Sequence, residues 1–287
     1  MTTSVESGVL PELRELPTER GVLRYREIGD GPPLLLLHGS GPGVTGWRNF
    51  GNNVPAFAQH YRTLVLEFPG FGVSDDFGAP HPMMSAQQAV GEFLDGLGLD
   101  RVRMVGNSMG GFVATDFTLA HPERVDRLVT IGGIGTSLFS ASPGEGIIRL
   151  SEFVENPTRQ ALIAWLHSMV YDPALVTEEL IEQRWEQATD PATLENSRRM
   201  YGRAALARMA EAARAAEAPG WAKLGRITAP VLVTWGRDDR VSPVDMALLP
   251  MRTLRNGEVH IFPNCGHWVM IEQKQAWEAV VLAFLAR

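Results

Sequence analysis

The feature that most constrains this chain is the run Gly106-Asn107-Ser108-Met109-Gly110-Gly111. It follows an apolar stretch at 102–105 and precedes a helix-like segment at 112–120. Strand, sharp turn and helix form the context in which Gly-x-Ser-x-Gly has chemical meaning. Gly106 and Gly110 lack a Cβ, which lets the chain fold tightly around Ser108. The turn pushes the serine hydroxyl out beyond the strand, beside a helix N-terminus that favours negative charge. Ser108 is therefore a candidate nucleophile, in need of a base and of an acid to orient that base. The plain alternative is a glycine-rich turn with an incidental serine, and the remainder of the chain bears against it.

Strand and helix signals alternate around this run. Segment 22–28 alternates like a half-exposed strand, and 34–37 is continuously apolar, like a strand covered on both faces. Segments 63–68, 102–105 and 127–131 read as further strands, and a capping box at 85–88 opens a helix running to about Leu97. From about Gly135 to Lys223 no strand is legible. Helix starts recur instead: a capping box at 142–145 and N-cap signals at Thr158, Thr177 and Asp190-Pro191. Strands resume at 231–235 and 259–262, and a helix at 274–286 closes the chain. The expectation is an α/β protein with a mainly parallel, doubly covered sheet and an inserted helical cap. Its parts are a loosely attached leader at 1–20, a core at 21–135 and 224–287, and a cap at 136–223.

Composition narrows the function. The chain has 287 residues, 45% of them hydrophobic, enough for a large core. Its 26 basic against 33 acidic residues give a formal charge of −7, which argues against nucleic acid and anionic membrane surfaces. No apolar run reaches the ~20 residues of a membrane span, and the N-terminus lacks the pattern of a secretory signal. Cys265 is the only cysteine, so no internal disulfide forms and a cytoplasmic location fits. No Cys/His spacing suits zinc, and neither a metal nor an organic cofactor is expected.

Ligands of open α/β sheets sit beyond the carboxyl ends of the strands. Ser40, Ser108, Asp238 and His267 each follow a strand signal there and should converge. The order Ser108, Asp238, His267 is that of a Ser-acid-His triad. Asp239 is the nearest rival for the acid. The stretch after the strand at 127–131, Gly132-Gly133-Ile134-Gly135, offers no carboxylate. His38 is expected to shape its loop, His60, His81 and His121 to face solvent, and Cys265 to be inert packing. The oxyanion hole needs two backbone N–H groups, assigned to Met109 and Ser40, the latter in the loop containing Gly39 and Gly41. On the helix expected at 176–188, Arg184 projects from an apolar arc with Leu180, Ile181, Trp185 and Ala188, so it needs an anion. Either a carboxylate of the chain or an anionic substrate could supply it, and snorkelling to water is a third outcome.

From about Val22 onward the chain resembles the α/β-hydrolases, and more narrowly the meta-cleavage product hydrolases. The matching pieces are His38-Gly-Ser-Gly-Pro-Gly43 with Trp47 and Asn49, Gly106-Asn-Ser-Met-Gly-Gly111, Met169-Val-Tyr-Asp172, Gln183-Arg-Trp185, Trp235-Gly-Arg-Asp-Asp239 and Cys265-Gly-His-Trp268. Glu67 departs from the pattern, where aspartate is common, and so does Met169, where some members carry phenylalanine. The resemblance implies hydrolysis of a C–C bond in an anionic 2-hydroxy-6-oxohexa-2,4-dienoate-type compound, a ring-cleavage product of aromatic catabolism. It places the substrate carboxylate on Arg184, with Asn49, Asn107 and Trp268 lining that end. Met169, with Trp165 and Leu166 on the same helix, is expected near the C6 substituent. It also implies a homo-oligomer.

Two alternatives stay open. A carboxylesterase or lactonase would use the same triad, and a non-catalytic binding protein could share the fold. Dehalogenase and epoxide hydrolase chemistry is disfavoured, because it needs an aspartate where Ser108 stands.

Overall fold

The computed structural model describes residues 10–287. Eight strands form one sheet in the order β1-β2-β4-β3-β5-β6-β7-β8. They are β1 (Arg14–Pro17), β2 (Val22–Ile28), β3 (Pro33–Leu37), β4 (Arg62–Glu67), β5 (Val102–Asn107), β6 (Val125–Ile131), β7 (Val231–Gly236) and β8 (Gly257–Phe262). The pairs β1/β2 and β2/β4 are antiparallel and every other pair is parallel. Parallel pairs need a crossover, and helices supply it: α1 (Gly46–Phe50) and α2 (Val54–Phe57), α3 (Pro82–Gly96), and α4 (Met109–Ala120). Between β6 and β7 lie five helices: α5 (Glu145–Glu155), α6 (Arg159–Met169), α7 (Glu178–Ala188), α8 (Pro191–Tyr201) and α9 (Arg203–Ala215). Then come α10 (Leu248–Thr253), α11 (Val269–Glu272) and α12 (Lys274–Leu285).

The apolar run at 34–37 explains the double cover. Leu35 and Leu37 enter one core with Val90, Phe93, Val113 and Phe117 of α3 and α4. Leu34 and Leu36 enter the other, with Phe50, Trp277 and Phe284 on the opposite face. A strand alternates its side chains, so only a sheet packed on both faces accepts an unbroken Leu run.

Local signals beyond the strands held unevenly. Thr158, Thr177 and Asp190 cap α6, α7 and α8 by accepting from Ala161, Leu180 and Thr193 N–H. The other two boxes do not cap. His81 caps α3, which starts at Pro82, so Ser85 lies inside the helix. Proline fixes φ for a first helical position, and that outweighs the serine. Gly144 rather than Ser142 precedes α5, without a side-chain cap. His81 is half-buried rather than solvent-facing, while His60 and His121 are exposed.

The leader reading also needs correction. Residues 1–9 lie outside the described residues, but Arg14–Pro17 forms β1, paired with β2 from Arg14↔Tyr25 to Pro17↔Val22. Arg24 Nε donates to Glu15 at 2.9 Å across this pair. Short, charged and ending in proline, β1 has the make-up of an edge strand, which resembles a polar leader in sequence.

Candidate active site

Ser108 sits between β5 and α4 at φ 51°, ψ −115°, one of two non-glycine residues with positive φ among the described residues. Such a backbone costs of order 1–3 kcal/mol and persists only where its surroundings hold it. Here they do. Ser108 N–H donates to Ile131 O at 2.7 Å, and Gly111 and Phe112 N–H donate back to Ser108 O at 2.9 and 3.1 Å. The flanking glycines are sterically required. A Cβ on Gly106 would overlap the Gly110 backbone, and one on Gly111 would lie 2.7 Å from Gly133 O.

The candidate base and its partner carboxylate come from the loops after β8 and β7. His267 is 1% exposed, and its Nδ1 lies 2.7 Å from Asp239 Oδ2. Asp239, not Asp238, is therefore the carboxylate that faces the imidazole. The reason is local: Asp239 Oδ1 accepts from Val241 and Ser242 N–H at 2.8 and 2.9 Å, and this turn aims Oδ2 inward. Asp238 turns outward, its carboxylate 3.2 Å from Arg237 and accepting from Cys265 N–H at 3.3 Å. Two adjacent aspartates after a strand point to opposite sides, and sequence alone does not reveal which one faces in. Gly132, at φ 58°, passes under this pair. A Cβ there would lie 3.0 Å from the His267 ring and 3.2 Å from Asp239 Oδ2. That stretch thus lacks a carboxylate because it must make room for one.

The loop after β3 brings Ser40 to the tight turn, or elbow, that carries Ser108. Gly39 N–H donates to Asn49 Oδ1 at 2.8 Å, and Asn107 Nδ2 donates to Ile131 O at 3.3 Å. His38 beneath is fully buried: Phe68 N–H donates to Nε2 at 2.9 Å, and Nδ1 lies 2.5 Å from Gly39 O. Burial pulls its pKa down to about 4, against the Gly39 carbonyl and with help from the charge of Arg184. His38 is a neutral structural imidazole. Glu67 is 2% exposed and accepts from Gly46 and Trp47 N–H at 2.6 and 3.2 Å, closing the start of α1. Burial raises its pKa against those bonds. Cys265 is buried, and desolvation with the nearby Glu272, Asp239 and Asp238 charges pushes its thiol up, so it stays protonated.

One cavity joins these groups. Ser108, His267, Ser40, Gly39, Gly41, Asn49 and Asn107 line it from the core, with Trp268 beside them. Trp165 and Met169 of α6, Ile147 and Leu150 of α5, Arg184 of α7 and Tyr201 of α8 close it from above. Leu166 is buried but does not reach it. Gly41 is needed because a Cβ there would collide with the Trp165 ring. Met169 also accepts from His267 N–H through its carbonyl at 2.7 Å, tying α6 to the histidine loop.

Arg184 is 2% exposed. Nη1 donates to Pro42 O at 3.2 Å, the guanidinium lies 5.1 Å over the Trp268 ring, and Nε has no hydrogen-bond partner among the described residues. Among the described residues no carboxylate pairs with it. Burial, with the like charge of Arg48, draws its pKa down to about 9, still a cation at neutral pH. The amphipathic pattern of α7 is observed: Ile181, Arg184 and Ala188 are buried while Glu178, Glu179, Glu182 and Glu186 are exposed.

Sequence reasoning missed Tyr201, whose hydroxyl meets Ser40 Oγ. Burial raises the phenol to about 12 against that bond, so it keeps its proton and can donate. It is the last residue of α8, and helix periodicity carries no sign of a long-range polar contact.

The elbow, the mainly parallel sheet and the helices between β6 and β7 define an α/β hydrolase. The sequence pattern of the Alpha/beta hydrolase family matches residues 34–281. A 2-hydroxy-6-oxo-6-phenylhexa-2,4-dienoate hydrolase of Burkholderia cepacia is 36% identical, over 93% of this chain and 94% of its own length. A 2-hydroxy-6-oxononadienedioate/2-hydroxy-6-oxononatrienedioate hydrolase of Burkholderia vietnamiensis is 40% identical, over 92% and 91%. The solved meta-cleavage product hydrolase of Pseudomonas fluorescens IP01 superposes with a TM-score of 0.85 at 28% identity, over 95% of this chain and 97% of that one. The chain belongs to the α/β hydrolase family and, within it, to the meta-cleavage product hydrolases. Among the described residues no helix is long and apolar enough to cross a membrane.

Proposed function

We propose that the protein hydrolyses a C–C bond in 2-hydroxy-6-oxohexa-2,4-dienoate-type products of aromatic ring cleavage, yielding a 2-hydroxypentadienoate and a carboxylic acid. The observation that carries this reading is Arg184. A buried guanidinium with no carboxylate partner among the described residues lines the same cavity as Ser108. Leaving such a charge unpaired is costly, and a substrate carboxylate would satisfy it.

In this reading the dienol first takes up a proton at C5 as its 2-hydroxyl loses one, giving a keto form whose C5 can leave. His267, held in one tautomer by Asp239, takes the Ser108 proton as Oγ attacks the C6 carbonyl. The oxyanion is received by Ser40 and Met109 N–H. Met109 opens α4, so its N–H is one of the donors a helix start leaves free. Collapse breaks the C5–C6 bond, and its electron pair moves along the chain to the C2 oxygen as a dienolate. That oxygen takes the proton from His267 to give the 2-hydroxypentadienoate. Water, activated by His267, then frees the acid from Ser108. Asn49, Asn107 and Trp268 complete the carboxylate end, while Trp165 and Met169 face the C6 substituent. A cytoplasmic homo-oligomer belongs to the same reading and rests on the resemblance and the single cysteine.

The test is loss of the conjugated dienolate absorbance with a panel of C6-substituted dienoates. Turnover that disappears in Ser108→Ala supports the reading. Activity confined to aryl esters or lactones would favour the esterase alternative that shares this triad.

A further inference from the structure

The catalytic cavity offers a free volume of only about 20 Å³. A second cavity next to it offers about 350 Å³. Arg184, Asn49 and Trp268 line both and form the wall between them. These are the residues assigned above to the carboxylate end of the substrate, so the larger space lies directly behind that end.

The lining of the second cavity has a distinct chemistry. Two arginines, Arg48 and Arg184, face it, and no acidic residue does among the described residues. Trp47 and Leu180 supply apolar surface. Arg48 Nη1 donates to Gly43 O at 3.1 Å and Gln187 Oε1 at 3.0 Å, both neutral. Among the described residues Arg48 forms no ion pair; Glu186 and Glu67 are near enough to support its charge but do not line the cavity. Arg184 brings a buried Nε without a partner to the shared wall. On a chain of formal charge −7, such a pair is a local attractor for anions.

We infer that this second cavity is an anion-binding antechamber, in which Arg48 and Arg184 hold a small conjugated carboxylate as it passes out of the catalytic cavity. The inference rests on the proposed function for the identity of that carboxylate, the pentadienoate fragment. After the C5–C6 bond breaks, the acyl group stays on Ser108 and blocks one end of the catalytic cavity. The fragment lies toward Arg184, and its way out that avoids the acyl group is through the wall its own carboxylate touches. Arg48 gives that carboxylate a second charge to move to. Trp47 offers a face for its conjugated chain.

The probe is 2,4-pentadienoate, titrated into the full-length enzyme with tryptophan fluorescence as the readout. Arg48→Gln should weaken its binding by about tenfold, the scale of losing one partly solvated charge contact. Arg48→Lys, which keeps the charge as a point cation, should stay within about threefold of wild type. Pentadienoate binding to Arg48→Gln within twofold of wild type would overturn the inference, and so would an equal loss in Arg48→Lys, which would mean Arg48 only holds its loop. The measurement needs no turnover, so it fails separately from the proposed reaction, which dienoate hydrolysis tests.

Discussion

Asp239 Oδ2 lies 2.7 Å from Nδ1 of His267, and both side chains are 1% exposed. A carboxylate so desolvated and so close fixes which imidazole nitrogen carries the proton. In the proposed reaction Nε2 is then the nitrogen that accepts a proton from Ser108, which lines the same cavity.

Asp239→Asn should lower kcat by roughly three to four orders of magnitude, because the amide permits the wrong His267 tautomer. Asp238→Asn weakens a partly solvated contact with Arg237 and keeps an amide oxygen able to accept from Cys265 N–H, so kcat should fall less than about threefold. Steady-state kinetics on both variants, with melting curves to verify folding, decides between them. A larger loss in Asp238→Asn would refute the assignment.

Arg184→Gln should reduce kcat/KM for a dienoate by about 2–5 kcal/mol, the scale of removing one partner of a buried charge pair. A neutral aryl ester lacks the carboxylate and should suffer far less. Equal losses on both substrates would show that Arg184 serves the cap and not the anion.

Tyr201→Phe removes the hydroxyl that meets Ser40 Oγ and leaves the ring in place. The Ser40 N–H would then be less well aimed at the oxyanion. We expect kcat to fall about two- to tenfold with KM nearly unchanged, matching one hydrogen bond of about 0.5–1.5 kcal/mol. A rise in KM alone would place Tyr201 in substrate binding instead.

His38 gives stability a defined pH dependence. Its folded pKa is about 4, below the ordinary value of 6.5, so the unfolded chain binds more protons between these limits. Its contribution is complete above pH 6.5 and is lost progressively as pH falls toward 4. The loss is about 3 kcal/mol at one proton per site. Urea unfolding of wild type and His38→Gln at several pH values measures it. The variant should be less stable at neutral pH but should show a flatter profile across that window.

What was legible followed chemistry that acts over a few residues. The Gly-x-Ser-x-Gly turn, the continuous Leu run of β3 and the caps at Thr158, Thr177 and Asp190 depend on neighbours within four positions. Arg184 could be read because a cation in the apolar arc of α7 contradicts its own helix. The choice between Asp238 and Asp239 could not, since it turns on which carboxylate captures the Val241 and Ser242 N–H groups. Tyr201 meets Ser40 across 161 positions of sequence, a separation with no local signature. The strand β1 was hidden because edge strands are selected to look unlike strands.

The helices that roof the site leave the sheet after Ile131 and return at Val231, where β6 and β7 pair in parallel from Leu128↔Val231 to Ile131↔Thr234. Ser108 precedes this excursion, and Asp239 and His267 follow it, so none of the three is carried by it. The sheet is thus a chassis into which the roof is inserted at one seam of the chain, with the backbone bond from His267 N–H to Met169 O as a further tie. Substitutions at Ile147, Leu150, Trp165 or Met169 can reshape what the cavity admits while the reacting groups keep their register. Diversification of substrate range in such a lineage needs no renegotiation of its chemistry, and natural variation should concentrate on the roof side of that seam.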